Sequence, residues 1–201
     1  MTWSPWREDA PGARDRQVEA FKTGEHHTWT DAELDQFEAK WRLGTRERLA
    51  YTLLLHTGQR VGDVARMKRA DISDGMIYVI QEKTGAKVWV PIASEIERAM
   101  QAYPANGLAL IGDPNGRPIK RATLSALMRA AIRAAGLPSR CVSHGLRKAA
   151  MRRLAESGAT EKQIAAVSGH KTLKEVERYT KAADQKKLAR VAIDKLPNRK
   201  S

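Results

Sequence analysis

The sequence predicts an α+β fold that is mainly helical, with one small antiparallel β-hairpin or sheet. Three observations carry this. Apolar residues recur at three- and four-residue spacing along most of the chain. Capping residues open these stretches and glycines close them. The β-branched, apolar runs are confined to residues 76–92.

In chain order, Thr30 and Glu33 form a capping box ahead of a helical stripe of Leu34, Phe37 and Trp41. A second helix starts near Thr45, runs through Leu49, Leu53 and Leu54, and ends at Gly58. A short helix follows from Val61 to Met67. Residues 76–80 and 87–92 read as two strands joined by 81–86, with Thr84-Gly85 as the turn. Residues 113–118, Asp-Pro-Asn-Gly-Arg-Pro, are a dense turn cluster. Leu124, Leu127, Met128, Ala131 and Ile132 share a face of a helix over 123–135, closed by Gly136. Ser143 is placed to cap a helix that ends at Gly158, and Thr160 to cap a shorter one that stops at Gly169. Thr172 and Glu175 form a second box for a helix carrying Val176 and Tyr179. A last amphipathic helix spans about 184–194, with Leu188 and Val191 on its face.

The 201 residues suffice for one domain with a real core, and 42% hydrophobic content is globular. Residues 1–28, with Pro5, Pro11, Gly12 and Gly24 among mixed charges, read as a linker or N-terminal arm. Residues 29–183 read as the main domain, and 184–201 as a basic C-terminal helix and tail. No eighteen-residue apolar run suggests a membrane span, and the charged first ten residues lack a signal-peptide core. A cytoplasmic setting, bacterial or phage-encoded, is expected. A single cysteine, Cys141, rules out an internal disulfide. Without Cys-x-x-Cys or His-x₃-His spacing, no metal site is expected, and His26 and His27 read as loop residues.

The formal charge of +13 points to a polyanionic partner. Residues 1–28 hold four Lys/Arg against five Asp/Glu, whereas 181–201 hold seven against two, so the surplus sits in the body and tail. Aromatics are only 5% and not interleaved with basic runs, which favours duplex phosphates over stacked single strands.

Four local sites carry chemistry. In Thr57-Gly-Gln-Arg60, an arginine at the mouth of a helix can aim its fork at a phosphate, and Asp63 on the same face can orient it. Lys83 sits on the hairpin turn, within reach of a groove or a leaving oxygen. His144 and Arg147, three residues apart, share a helical face and pair a proton carrier with a bidentate phosphate clamp. Lys148, Arg152 and Arg153 on that helix are candidate DNA-backbone contacts. Gly169-His170 precedes Tyr179, one of four tyrosines.

The order Arg60, Lys83, His144-x-x-Arg147, Gly169-His170, Tyr179 resembles the tyrosine recombinase (phage integrase) family. The matching stretches are 57–63, 83–85, 144–148, 168–170 and Tyr179, and the resemblance covers about residues 29–185. It implies the tyrosine-recombinase catalytic fold, with 29–183 as the catalytic domain, and a DNA strand-exchange enzyme acting through a 3′-phosphotyrosine. Tyr179 is then the nucleophile, Arg60 and Arg147 clamp the non-bridging oxygens, Lys83 protonates the leaving 5′ oxygen, His144 moves the tyrosine proton, and His170 binds the phosphate. No metal, ATP or other cofactor is implied. The implied partners are double-stranded DNA, further copies of the chain in a tetramer on DNA, and accessory DNA-bending proteins. Two other readings stay open: relaxation of DNA like a type IB topoisomerase, and a catalytically silent DNA-binding module. Relatives usually carry a core-binding domain ahead of the catalytic one, so the chain is expected to be a fragment.

Overall fold

A computed structural model describes residues 26–103 and 107–194. It holds eight α-helices, a single 3-10 turn at Arg69–Asp71 and a small sheet among those residues: α1 Asp31–Lys40, α2 Arg46–Thr57, α3 Val61–Arg66, β1 Ile72–Ser73, β2 Met76–Ile80, β3 Lys87–Pro91, α4 Ser94–Ala102, α5 Arg121–Ala134, α6 Ser143–Glu156, α7 Glu161–Ser168 and α8 Lys174–Asp194.

The local signals form the expected elements. Thr30 Oγ1 accepts from the Glu33 amide, and Glu33 Oε2 accepts from the Thr30 amide, closing the box at α1. Thr45 and Thr160 cap α2 and α7. Gly58 and Gly169 end those helices with φ of 63° and 67°, a left-handed conformation that only glycine adopts without strain. In the turn at 113–118, Asp113 Oδ1 accepts from the amides of Asn115 and Arg117.

Four expectations change. The hairpin gains β1, giving an antiparallel sheet of order β1-β2-β3. Helix α4 was not anticipated; its N-cap, Ala93, makes no side-chain cap bond, so the usual start signal is missing. Ser143 is the first residue of α6 rather than its cap, which is Val142. The two helices expected after Thr172 are one continuous α8, and the Thr172 hydroxyl donates to Glu175 Oε2 at 3.4 Å. The expected arm up to residue 25, the tail from 195, and the Leu188 and Val191 side chains lie outside the described residues.

Packing follows the alternation of the sheet and the helical stripes. Ile77 faces Val90 and Val79 faces Val88 on the buried side of the sheet. The main core joins these to Trp29, Phe37, Tyr51, Leu53, Leu54, Ile96, Leu124, Met128 and Leu146. A smaller cluster of Ala150, Met151, Ala155, Ile164 and Val176 sits between α6, α7 and α8, and the Tyr179 ring packs against it. Helix α6 touches α2, α5, α7 and α8. That central place is why its N-terminal residues can face several elements at once. No described helix is long and apolar enough to cross a membrane.

Candidate active site

Four of the six expected residues, Arg60, Lys83, His144 and Arg147, line one cavity of about 430 Å³, together with His26 and Arg121. Arg60 is the N-cap of α3, so its side chain leaves the backbone at the helix mouth. Its Nη1 donates to Gln81 Oε1 at 3.0 Å. Lys83 is exposed on the turn just beyond Gln81.

Arg147 is only 4% exposed. It donates to the Gly58 carbonyl at 2.6 Å and to the Ser168 carbonyl at 3.0 Å, so the ends of α2 and α7 both seat it. Its Nη2 also lies 3.1 Å from His170 Nε2. A guanidinium cannot accept, so Nε2 is the acceptor and the proton sits on Nδ1, where it meets Ser168 Oγ at 2.6 Å. Burial, and then the Arg60 charge, lower the Arg147 pKa to about 10. Burial and the Arg147 charge push His170 down to about 4, consistent with the neutral tautomer.

His144 stands near the N-terminus of α6, a helix with no acidic residue in its first turn. The positive end of the helix dipole therefore adds to the cationic side chains. Desolvation, then His26, Arg147, Arg60 and Lys148, lower the His144 pKa to about 4; the residue stays largely exposed, so water screens part of that effect. Neutral imidazoles beside two guanidinium groups make a site built for a doubly liganded anion, with proton acceptors at hand.

Tyr179 is half-buried and does not line this cavity. Its hydroxyl accepts from Arg178 Nη2 at 3.0 Å, and the Arg178 guanidinium lies 4.9 Å from its ring centroid. A larger cavity of about 590 Å³ lies between the end of α6, the start of α7 and α8, away from the cationic cluster.

Tertiary contacts give the other expected residues partners within the fold. Asp63 does not serve Arg60: its Oδ1 accepts from Arg66 at 2.9 Å and from the Glu82 amide at 2.9 Å. Lys148 is buried, and its Nζ donates to the His26 carbonyl at 2.7 Å, so it ties the incoming chain to α6. Arg152 and Arg153 converge on Asp31, at 2.7 and 3.4 Å, and brace α6 against the start of α1. His26 lies in the loop ahead of α1, as expected, and its ring lies 4.9 Å from that of His144. Gln81 was missed as well, for its only sequence signal is a polar residue beside the Lys83 turn.

Among the described residues, one group has metal-ligand spacing: donor atoms of His27, Glu33 and Cys141 lie within 4.8 Å of one another. Glu33 is already engaged by the Thr30 amide, His27 and Arg140, the last at 3.0 Å. Against the upward push of burial, these bonds and one from Cys141 hold its carboxyl at about 2. The cluster is complete as a cap and ion-pair site.

The sequence pattern of the phage integrase family matches residues 32–186. The chain belongs to the phage integrase family. The integrase of Escherichia phage lambda is 36% identical over 99 residues, which are 45% of this chain and 28% of that protein. Among solved structures, a lambda integrase dimer bound to a COC′ core site matches with a TM-score of 0.67 and 28% identity, covering 79% of this chain and 61% of that one. A lambda integrase tetramer bound to a Holliday junction matches at 0.62 and 30% identity, over 73% of this chain and 47% of that one. The chain thus spans 28% of the length of the phage lambda integrase and 61% of the chain in the dimer structure.

Proposed function

We propose that this phage integrase family member is the catalytic unit of a site-specific DNA recombinase. It cleaves and rejoins duplex DNA through a 3′-phosphotyrosine at Tyr179. The observation that carries the reading is the convergence of Arg60, Lys83, His144 and Arg147 on one cavity, with His170 seated on Arg147.

Tyr179 Oη attacks the scissile phosphorus, and the bond to the 5′ oxygen breaks. Arg60 and Arg147 hold the non-bridging oxygens as charge builds on them. Lys83 protonates the leaving 5′ oxygen, and neutral His144 accepts the tyrosine proton. Because one phosphoester replaces another, the reverse attack by a partner strand's 5′ hydroxyl rejoins DNA without ATP or metal. To reach the phosphate, the Tyr179 hydroxyl exchanges its Arg178 donor for the scissile group. The net charge of +13 supports duplex DNA as partner. The similarity to integrase dimers and a tetramer on DNA supports assembly of several copies there, in a bacterial or phage-infected cytoplasm.

The test is covalent trapping on pools of nicked duplex DNA without metal, with the parent and Tyr179→Phe run on a denaturing gel. The expected result is a DNA-linked band from the parent alone, with equal DNA binding by both. A band from Tyr179→Phe would remove Tyr179 as nucleophile. DNA binding with no band from the parent, even with an upstream DNA-binding domain joined to it, would leave a silent binding module.

A further inference from the structure

Gln81 is 1% exposed and sits between β2 and the Lys83 turn. A buried primary amide has two donor sites and one oxygen, and here all are used. Nε2 donates to Gln59 Oε1 and to the Ser168 carbonyl, each at 2.7 Å. Oε1 accepts from Arg60 Nη1 at 3.0 Å and from Thr84 Oγ1 at 2.8 Å. Gln59 is locked in turn, its own Nε2 donating to the Thr57 and Val167 carbonyls at 3.1 and 2.8 Å. The orientation of the Gln81 amide is therefore dictated by its partners. The Ser168 carbonyl that takes Gln81 also takes Arg147.

We propose that Gln81 is a positioning residue that fixes the two guanidinium groups of the site relative to each other, Arg60 directly and Arg147 through the Ser168 carbonyl. An amide suits the task for two reasons. A neutral acceptor orients Arg60 without consuming the charge that a phosphate must meet. A carboxylate would also set an oxygen against the two acceptors, Gln59 Oε1 and Ser168 O, that the amide nitrogen now satisfies. Gly169 completes the fit: a Cβ there would come within 2.5 Å of Gln81 Nε2.

Only the activity part of the test rests on the recombinase reading. The first measurement is side-chain NMR of the Arg60 and Arg147 Nε–H groups in the parent, Gln81→Met and Gln81→Glu, assigned with Arg60→Lys and Arg147→Lys. In Gln81→Met both guanidinium groups lose order. In Gln81→Glu, Arg60 stays ordered through its retained acceptor while Arg147 loosens, which keeps the idea testable should the Met variant fail to fold. Parent-like order at both arginines in a folded variant would overturn the proposal. In covalent trapping, either variant slows adduct formation by about 10²-fold, the scale of a reacting group misplaced by about 1 Å. Adding Gln81→Met to Arg60→Ala costs clearly less than the same change costs in the parent, because the part exerted through Arg60 is already lost and only the part through Arg147 remains. Full additivity would show that Gln81 does not act through Arg60 and would overturn that half of the proposal. A parent that makes no adduct even with an upstream DNA-binding domain joined to it would sink the recombinase reading, while the NMR result would still decide the role of Gln81.

Discussion

Replacing Arg147 with methionine separates what this residue does for the fold from what it does for the reaction. Methionine keeps much of the side-chain volume and removes the charge and donors. On the cost side, the Gly58 carbonyl loses its 2.6 Å partner. A buried acceptor left unpaired costs about 1–3 kcal/mol. The Ser168 carbonyl keeps the Gln81 donor at 2.7 Å, and His170 is only half-buried, so neither adds a comparable loss. On the gain side, the folded state holds the Arg147 pKa near 10 against 12.5, through burial and the nearby Arg60. That depression means the charged form is disfavoured on folding by about 3 kcal/mol, which the neutral side chain relieves. The two effects nearly cancel, so Arg147→Met should unfold in urea within about 2 kcal/mol of the parent. Covalent adduct formation, by contrast, should fall by about 10²–10³ or more, the cost of one lost oxyanion donor. A stability loss above about 4 kcal/mol would show that Arg147 is chiefly a structural clamp. Unchanged trapping would remove it from the phosphate site.

Two further outcomes follow from the same geometry. His144 and His170 have folded pKa values of about 4 against 6.5. As pH falls through 6.5 the unfolded chain takes up protons first, so their contribution is complete above 6.5 and declines towards pH 4. Urea midpoints should drop over that window, and less so in His170→Gln; parallel curves for the two proteins would contradict the assignment. Gly169→Ala should be markedly more destabilising than Gly85→Ala. Both glycines have φ of 67°, worth about 1–2 kcal/mol to a side chain, but only a Cβ at 169 meets Gln81, while the space at 85 is open. Equal thermal shifts would show that the Gln81 amide yields without cost.

The helices were legible where the signal is local. The Thr30–Glu33 box, the Thr45 and Thr160 caps and the glycines at 58 and 169 act over three or four residues, and each stands where its spacing puts it. Helix α4 was hidden because packing of Ile96 and Ala99, not a capping bond, defines it. The break expected near residue 184 was also a local reading. Ala182-Ala183-Asp184 holds neither glycine nor proline and two strong helix formers, so the helix runs through it.

The site divides in the same way. Its residue types and their order, Arg60, Lys83, His144, Arg147, His170 and Tyr179, are properties of the chain itself and identify the family before any fold is known. Which of them meet, and through what, is not. Gln81 joins the Ser168 carbonyl across 87 positions, and Lys148 reaches the His26 carbonyl across 122. Asp63 lies within helical reach of Arg60, yet it takes Arg66 and the Glu82 amide because the sheet delivers that amide to it. Hydrogen bonds between distant segments form only when packing removes both partners from water and leaves each other as the available match. Tertiary structure therefore decided how the cations of the candidate site are held, while the sequence alone determined which cations they are.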